Sequence, residues 1–287
     1  MIPIKFTDWW DGYEPKADPF FHDFLFNNYD LEFSEDPEVV FSFVPYFGKN
    51  EADKYPNAKR VYYSGEYITN DVIHSILDQG HYLIYSAAID HPNYLQMGEM
   101  EKYRFHGQEL KYEIPEKKRF CSFIYQSNRF ENVCRREEFC KKLSQYKRVD
   151  CMGRSLHNHD EPRLTGRYNG PSNSGLGKSN IDVIRDYKFN IAYENRCHSG
   201  YLTEKIWWGF LANTISIYWG DLNVYDTFNR GSFICRHDYG SDQDMIDHII
   251  YLDQNEDAYN EMLLTPKIKD KYRFSDERIL KFFDKIL

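Results

Sequence analysis

At 287 residues, the chain is longer than one small hydrophobic core serves and suits two α/β domains of ordinary size. A net charge of −9 argues against a nucleic-acid backbone or an anionic membrane surface as the main partner, so any phosphate site must be local. No apolar run approaches the length that spans a bilayer, and the start, MIPIKFTDWWDGYE, lacks a basic leader with an apolar core. The expectation is therefore a cytoplasmic protein without an integral membrane segment, with peripheral membrane contact left open.

In chain order, Ile4 to Phe6, Val39 to Val44, Val61 to Tyr63 and Tyr82 to Tyr85 read as strands, with helical patterns at Phe20 to Phe26 and Val72 to Leu77 between them. Residues Glu99 to Lys118 lose that periodicity, and a crossover near Pro115 is expected to divide a first domain, 1–115, from a second, 116–287. The second domain starts with a strand from Phe120 to Tyr125, a helix from about Glu131 to Leu143 and a strand from Tyr146 to Cys151. The long polar stretch Gly153 to Asn180 has the character of a functional flap.

Lys188 to Tyr193 is apolar except at Lys188 and Asn190 and stops at Glu194-Asn195, as a buried parallel strand does when it delivers polar side chains at its carboxyl end. Open α/β sheets bind ligands at that end. Thr203 is an expected N-cap, and the first turn beyond it, with Lys205, offers positive potential to an anion such as a phosphate. After Gly220, Asp221 is expected to cap a short helix. Ser232 to Cys235 is a strand, and the chain is helical from Asp242 onwards. Six cysteines without a CxxC pair read as reduced, unpaired thiols, and 24 Tyr with 21 Phe favour a carbohydrate substrate only weakly, since most rings serve the core.

The segment with Phe189, Asn190, Glu194, Asn195, Tyr201, Thr203, Glu204 and Lys205, continuing to Ile217-Tyr218-Trp219-Gly220, resembles the donor-binding signature of the α1,3-fucosyltransferases (glycosyltransferase family 10, bacterial type). Far upstream, Asn57 to Glu66 resembles the acceptor-side strand that carries that family's general base, and Trp9-Trp10 and Lys281-Phe282-Phe283 are also similar. The resemblance implies GT-B architecture, two Rossmann-like domains facing a cleft, with the acceptor and Glu66 on the first and GDP-fucose on the second. It implies inverting transfer of L-fucose to the 3-hydroxyl of N-acetylglucosamine in a LacNAc/Lewis-type acceptor, with no cofactor or metal required.

On the same resemblance, Glu66 takes the proton from the acceptor hydroxyl, Lys205 neutralises the leaving diphosphate and Glu204 accepts from the ribose hydroxyls. Asn195 and Tyr201 are further donor contacts, and Glu194 either orients the loop or faces the fucose. Arg136 keeps the family's spacing to Phe139 for a second phosphate-binding cation, with Arg135 as its rival, and Lys178 approaches the donor from the flap. Each has an ordinary counterpart: a solvated carboxylate at a loop start, a charged pair opening a helix, surface arginines paired with Glu137 or Glu138.

Three patterns mimic other chemistry. Gly175-Leu176-Gly177-Lys178-Ser179 ends like a phosphate loop, but Ser172 stands where its first glycine belongs. Asp242-Gln243-Asp244 has the form of a metal-holding Asp-x-Asp, yet sits where a helix start favours carboxylates. His157, His159 and Asp160 cluster without further ligands. The alternatives to a fucosyltransferase are a transferase of this fold with another nucleotide sugar and a lectin-like carbohydrate binder.

Overall fold

The structure, a computed structural model, describes residues 1–44, 50–105, 107, 109–126, 133–164, 178–269 and 275–287. The chain divides into two compact units, with the break after Gly107 and the last helix, Asp276–Phe283, joining the first. This corrects the expected division at 115/116, which assigned every late helix to the second domain. The hydrophobic face of that helix explains the difference: Ile279, Phe282 and Phe283 are buried in the same core as Ile4, Phe20, Phe41 and Ile84. Each such side chain is worth about 1.5–3 kcal/mol when removed from water.

In the first unit β1 (Ile2–Thr7) leads into a helical segment, Pro19–Phe24, that continues as α1 (Leu25–Asn28). The Asp18 carboxylate caps its start by accepting from the Phe20 and Phe21 amides, which would otherwise lack partners. Then come β2 (Leu31–Phe33), β3 (Val39–Phe43), β4 (Lys59–Tyr63), α2 (Asn70–Asp78), β5 (Tyr82–Tyr85), β6 (Tyr94–Gln96) and α3 (Glu99–Arg104). The six strands form one parallel sheet in the order β2-β1-β3-β4-β5-β6. Every residue of β3 is buried, as a strand covered on both faces requires. Three elements escape the sequence pattern: β2 and β6, three residues each, and α3, in the stretch that lost its periodicity.

The second unit runs β7 (Arg119–Phe123), α4 (Val133–Leu143), β8 (Val149–Cys151), α5 (Lys178–Ile184), β9 (Tyr187–Tyr193), α6 (Glu204–Leu211), β10 (Ile215–Trp219), α7 (Val224–Thr227), β11 (Ile234–Cys235), α8 (Asp242–Gln254) and α9 (Glu256–Leu264). Its five strands are also parallel, in the order β11-β10-β9-β7-β8. The chain therefore reverses its direction of travel across the sheet between β7 and β9. In a doubly wound sheet, the ligand crevice opens outside the carboxyl ends of those two strands.

Small residues allow the close packing. A Cβ on Gly209 of α6 would come 2.0 Å from the Ser216 hydroxyl of β10, so only glycine lets this helix lie so near the sheet. The expected flap is described only at its ends, and Gly175-Leu176-Gly177 lies outside the described residues. Among the described cysteines none forms a disulfide, and the buried Cys140 and Cys151 thiols lie 3.6 Å apart as a hydrogen-bonded pair.

Candidate functional site

A polar arrangement gathers at the carboxyl end of β9. Glu194 follows the last strand residue, and its side chain has no exposure to solvent. Its two oxygens are fully engaged: Oε1 accepts from the Thr203 amide at 2.9 Å, and Oε2 from the Thr203 hydroxyl at 2.6 Å and the Lys205 ammonium at 3.1 Å. Burial pushes the Glu194 carboxyl up, against the opposing pull of Lys205. Gly220 completes the arrangement, since a Cβ there would stand 2.3 Å from Cγ of Glu194.

This geometry corrects one expectation. Thr203 occupies the N-cap position of α6, but its hydroxyl makes no cap hydrogen bond, because it donates to Glu194 instead. The first amides of α6 thus receive no side-chain oxygen from Thr203. Both carboxylate oxygens of Glu194 are thus spent on Thr203 and Lys205. Lys205 is 15% exposed and also donates to the Thr203 hydroxyl at 2.9 Å and, more weakly, to Glu204 at 3.4 Å. It is not the solvated helix-start lysine of the ordinary counterpart.

Across the switch point, Arg136 on α4 is 1% exposed, with its guanidinium 4.1 Å from the centre of the Tyr125 ring. Its Nη1 donates to Oδ1 of Asn195 at 3.0 Å, joining α4 to the β9 loop. The Tyr125 hydroxyl in turn accepts from the Tyr193 amide at 2.6 Å and donates toward the Tyr193 carbonyl at 2.9 Å. Arg135 is exposed, 5.1 Å over the Trp219 ring at the end of β10. The two arginines thus point to different places, and only Arg136 meets Asn195. Tyr201 is buried in the loop, 1% exposed. Lys178 opens α5, and its side chain lies outside the described residues.

Asp221 does not cap α7, whose N-cap position is held by Asn223. Its Oδ1 accepts from the Asn223 and Gly200 amides at 2.9 and 2.6 Å, tying the end of β10 to the Glu194–Thr203 loop. Nothing in the sequence marks that link, because the residues are far apart in the chain. In the first unit, Glu66 is exposed just beyond β4, in a turn closed by Ser64. The Ser64 hydroxyl accepts from the Glu66 amide at 3.1 Å and donates to its carbonyl at 2.8 Å.

The Asp-x-Asp pattern is absorbed by structure. Ser241 and Asp244 form a reciprocal capping box on α8, while Asp242 pairs with Arg236 and Lys142 at 2.7 Å each. His157 contacts Gly153 and Asp160, and His159 contacts Arg119. Among the described residues no group of three or more His, Cys, Asp or Glu side chains is arranged to hold a metal, and no helix is long and apolar enough to cross a membrane.

Comparison with known proteins agrees with these features. The family described as FucT N-terminal domain of alpha-(1,3)-fucosyltransferase matches residues 4–103, and glycosyltransferase family 10 (fucosyltransferase) C-term matches residues 114–275. The alpha-(1,3)-fucosyltransferase FucT of Helicobacter pylori is 38% identical over 117 residues, 38% of this chain and 24% of that protein. GDP-fucose protein O-fucosyltransferase 3 of Gallus gallus is 25% identical over 148 residues, 51% of this chain and 30% of that protein. The matches thus span only a quarter to a third of these curated relatives. A crystal structure of alpha1,3-fucosyltransferase with GDP-fucose superposes with a TM-score of 0.72 at 25% identity, covering 99% of this chain and 90% of that one. Two parallel Rossmann-like units, the matched families and this superposition establish the GT-B fold class, and the chain belongs to glycosyltransferase family 10, the fucosyltransferases.

Proposed function

We propose that this chain is a GDP-fucose-dependent α1,3-fucosyltransferase. It moves L-fucose, with inversion, to the 3-hydroxyl of N-acetylglucosamine in a LacNAc/Lewis-type acceptor. The observation that carries the proposal is the polar assembly at the switch point of the second unit, Arg136 with Asn195 and Glu194 with Thr203 and Lys205, in a chain of this family.

The chemistry asks for cations at a departing diphosphate and for a base at the incoming hydroxyl. Lys205 serves the first need by exchanging its 3.4 Å contact to Glu204 for a phosphate oxygen. The exchange frees the Glu204 carboxylate to accept from the ribose hydroxyls. Glu194, buried and fully engaged, keeps Lys205 at the helix mouth throughout. Arg136 supplies a planar fork to the diphosphate beside Asn195, with Arg135 left to the rim over Trp219. Lys178 and Tyr201 are assigned to the donor side on family resemblance alone. Glu66, exposed and at the end of a parallel strand, has the access that a base for an incoming acceptor requires. Fucose leaves its β-linkage as the acceptor oxygen attacks from the opposite face, so the new bond is α, and the proton passes to Glu66. Acceptor recognition is assigned to the first unit and donor recognition to the second.

Titration with nucleotide sugars tests the donor: GDP-fucose binding far tighter than UDP- or CMP-sugar binding is expected. Glycan binding with no nucleotide binding would favour a lectin. Incubation with GDP-fucose and either N-acetyllactosamine or a serine-containing peptide tests the acceptor, and fucose is expected on the glycan alone. Fucosylated peptide would overturn the acceptor assignment, an arm that the similarity to a protein O-fucosyltransferase makes necessary.

A further inference from the structure

Gln126 lies just beyond β7, and both polar atoms of its side chain, Oε1 and Nε2, are enclosed without a hydrogen-bond partner. An amide orphaned at both ends loses the hydrogen bonds it had with water and gains none in return. Gln126 follows β7, one of the two strands beside the switch point. Ser122 pairs with Asn190 across β7 and β9, and the Ser122 hydroxyl reaches Oδ1 of Asn190 at 2.8 Å on the same face of the sheet. Beyond Phe123 the Tyr125 carbonyl accepts from the Ser155 amide at 3.1 Å and the Tyr125 hydroxyl meets the Tyr193 carbonyl at 2.9 Å, so the chain stays beside the end of β9. Gln126, three residues past the end of β7, thus lies at the carboxyl end of the sheet, where the switch-point crevice opens.

We propose that Gln126 is a specificity-determining residue that reads a pair of neighbouring hydroxyls on the transferred sugar. This rests on the donor assignment made above. The choice of ligand group follows from hydrogen-bond inventory: a phosphate only accepts and would leave Oε1 orphaned. A vicinal diol both donates and accepts and satisfies both ends of the amide. Ribose and pyranose both offer such a diol. Glu204 already stands for the ribose, so Gln126 takes the sugar.

The test compares calorimetric titrations of the full chain with GDP, which has only the ribose diol, and with GDP-fucose, without acceptor. Gln126→Met keeps length and apolar bulk while removing both polar atoms. It is expected to weaken GDP-fucose about tenfold, the scale of one or two neutral hydrogen bonds, while GDP stays within about twofold. Its melting temperature is expected to hold or rise, because an orphaned amide disappears; Gln126→Ala, which also loses packing, is expected to show the same split between ligands. Equal weakening of GDP and GDP-fucose, no change in either, or a lower melting temperature with both ligands lost would each overturn the inference. Wild-type chain that fails to bind GDP-fucose would instead sink the donor assignment itself, and this inference with it.

Discussion

The two units are built on the same plan, a parallel sheet whose order reverses next to its first strand, yet they furnish that point differently. In the second unit the reversal between β7 and β9 is lined by ions and amides: Arg136, Asn195, Glu194 and Lys205. In the first, the reversal lies between β1 and β3, and the chain leaving β1 supplies aromatic rings. Trp9 stacks on Tyr13 at 4.1 Å and on Tyr63 at 5.5 Å, and Trp10 meets Phe43 edge-on at 5.7 Å. A buried cation beside these rings, Lys102, is held by Asp18 at 2.8 Å. Similar strand orders thus end differently, in ions and amides in the second unit and mainly in rings in the first, where the buried Asp8 carboxylate is taken up by the Ser42 hydroxyl and the Glu51 and Ala52 amides; the contrast supports the proposal that the second unit holds the charged nucleotide.

The sharpest way to break this contrast is to remove the proposed base. Glu66→Gln is expected to cut transfer by about 10²–10⁴-fold, the usual contribution of a positioned base, while GDP-fucose affinity stays unchanged. Turnover near the wild-type rate would return Glu66 to the status of a surface carboxylate. Next in size is Glu194→Ala, which leaves the Thr203 amide and hydroxyl and the Lys205 ammonium without their shared acceptor; a loss of about 3–5 kcal/mol in urea unfolding is expected. Lys205→Ala should weaken GDP and slow turnover together, whereas Arg136→Ala with Asn195→Ala should be non-additive in GDP affinity, since the pair shares a hydrogen bond.

A smaller effect separates site from scaffold. The Lys117 ammonium donates to the Arg185 carbonyl at 3.0 Å and the Thr214 hydroxyl at 2.8 Å, just past α5 and before β10. Burial pushes it down from 10.5 to about 7, with Arg185 adding to the effect and Asp186 opposing it. Between those values the unfolded chain binds more protons than the folded one, so stability should rise as pH goes from 7 toward 10 and be flat below 7. Lys117→Met should flatten the urea midpoint across that range. Smallest of all, Asp244→Ala should cost about 0.5–2 kcal/mol through its capping box and leave GDP affinity untouched.

Much of this was legible from sequence because it is local. Val39 to Val44 is apolar at every position but Ser42 and contains β3, Tyr82 to Tyr85 forms β5, and Glu194-Asn195 marks the end of β9. What stayed hidden depends on partners distant in the chain. The choice between Arg135 and Arg136 turns on which side of α4 faces Tyr125. The service of Glu194 to Thr203 shows only when the loop closes, and the enclosed, unpartnered amide of Gln126 shows only in the folded chain. The last helix joins the first core through Ile279, Phe282 and Phe283, a pairing that no periodicity within the helix discloses.

That return of the last helix has a consequence for synthesis. Protein domains ordinarily acquire structure in the order in which they leave the ribosome. Here the apolar floor under Phe20, Phe41 and Ile84 stays uncovered until Ile279 and Phe283 emerge, whereas the second sheet has all its strands by Cys235. The half made first is the half completed last, and while it waits, its greasy underside is what a nascent-chain chaperone would meet.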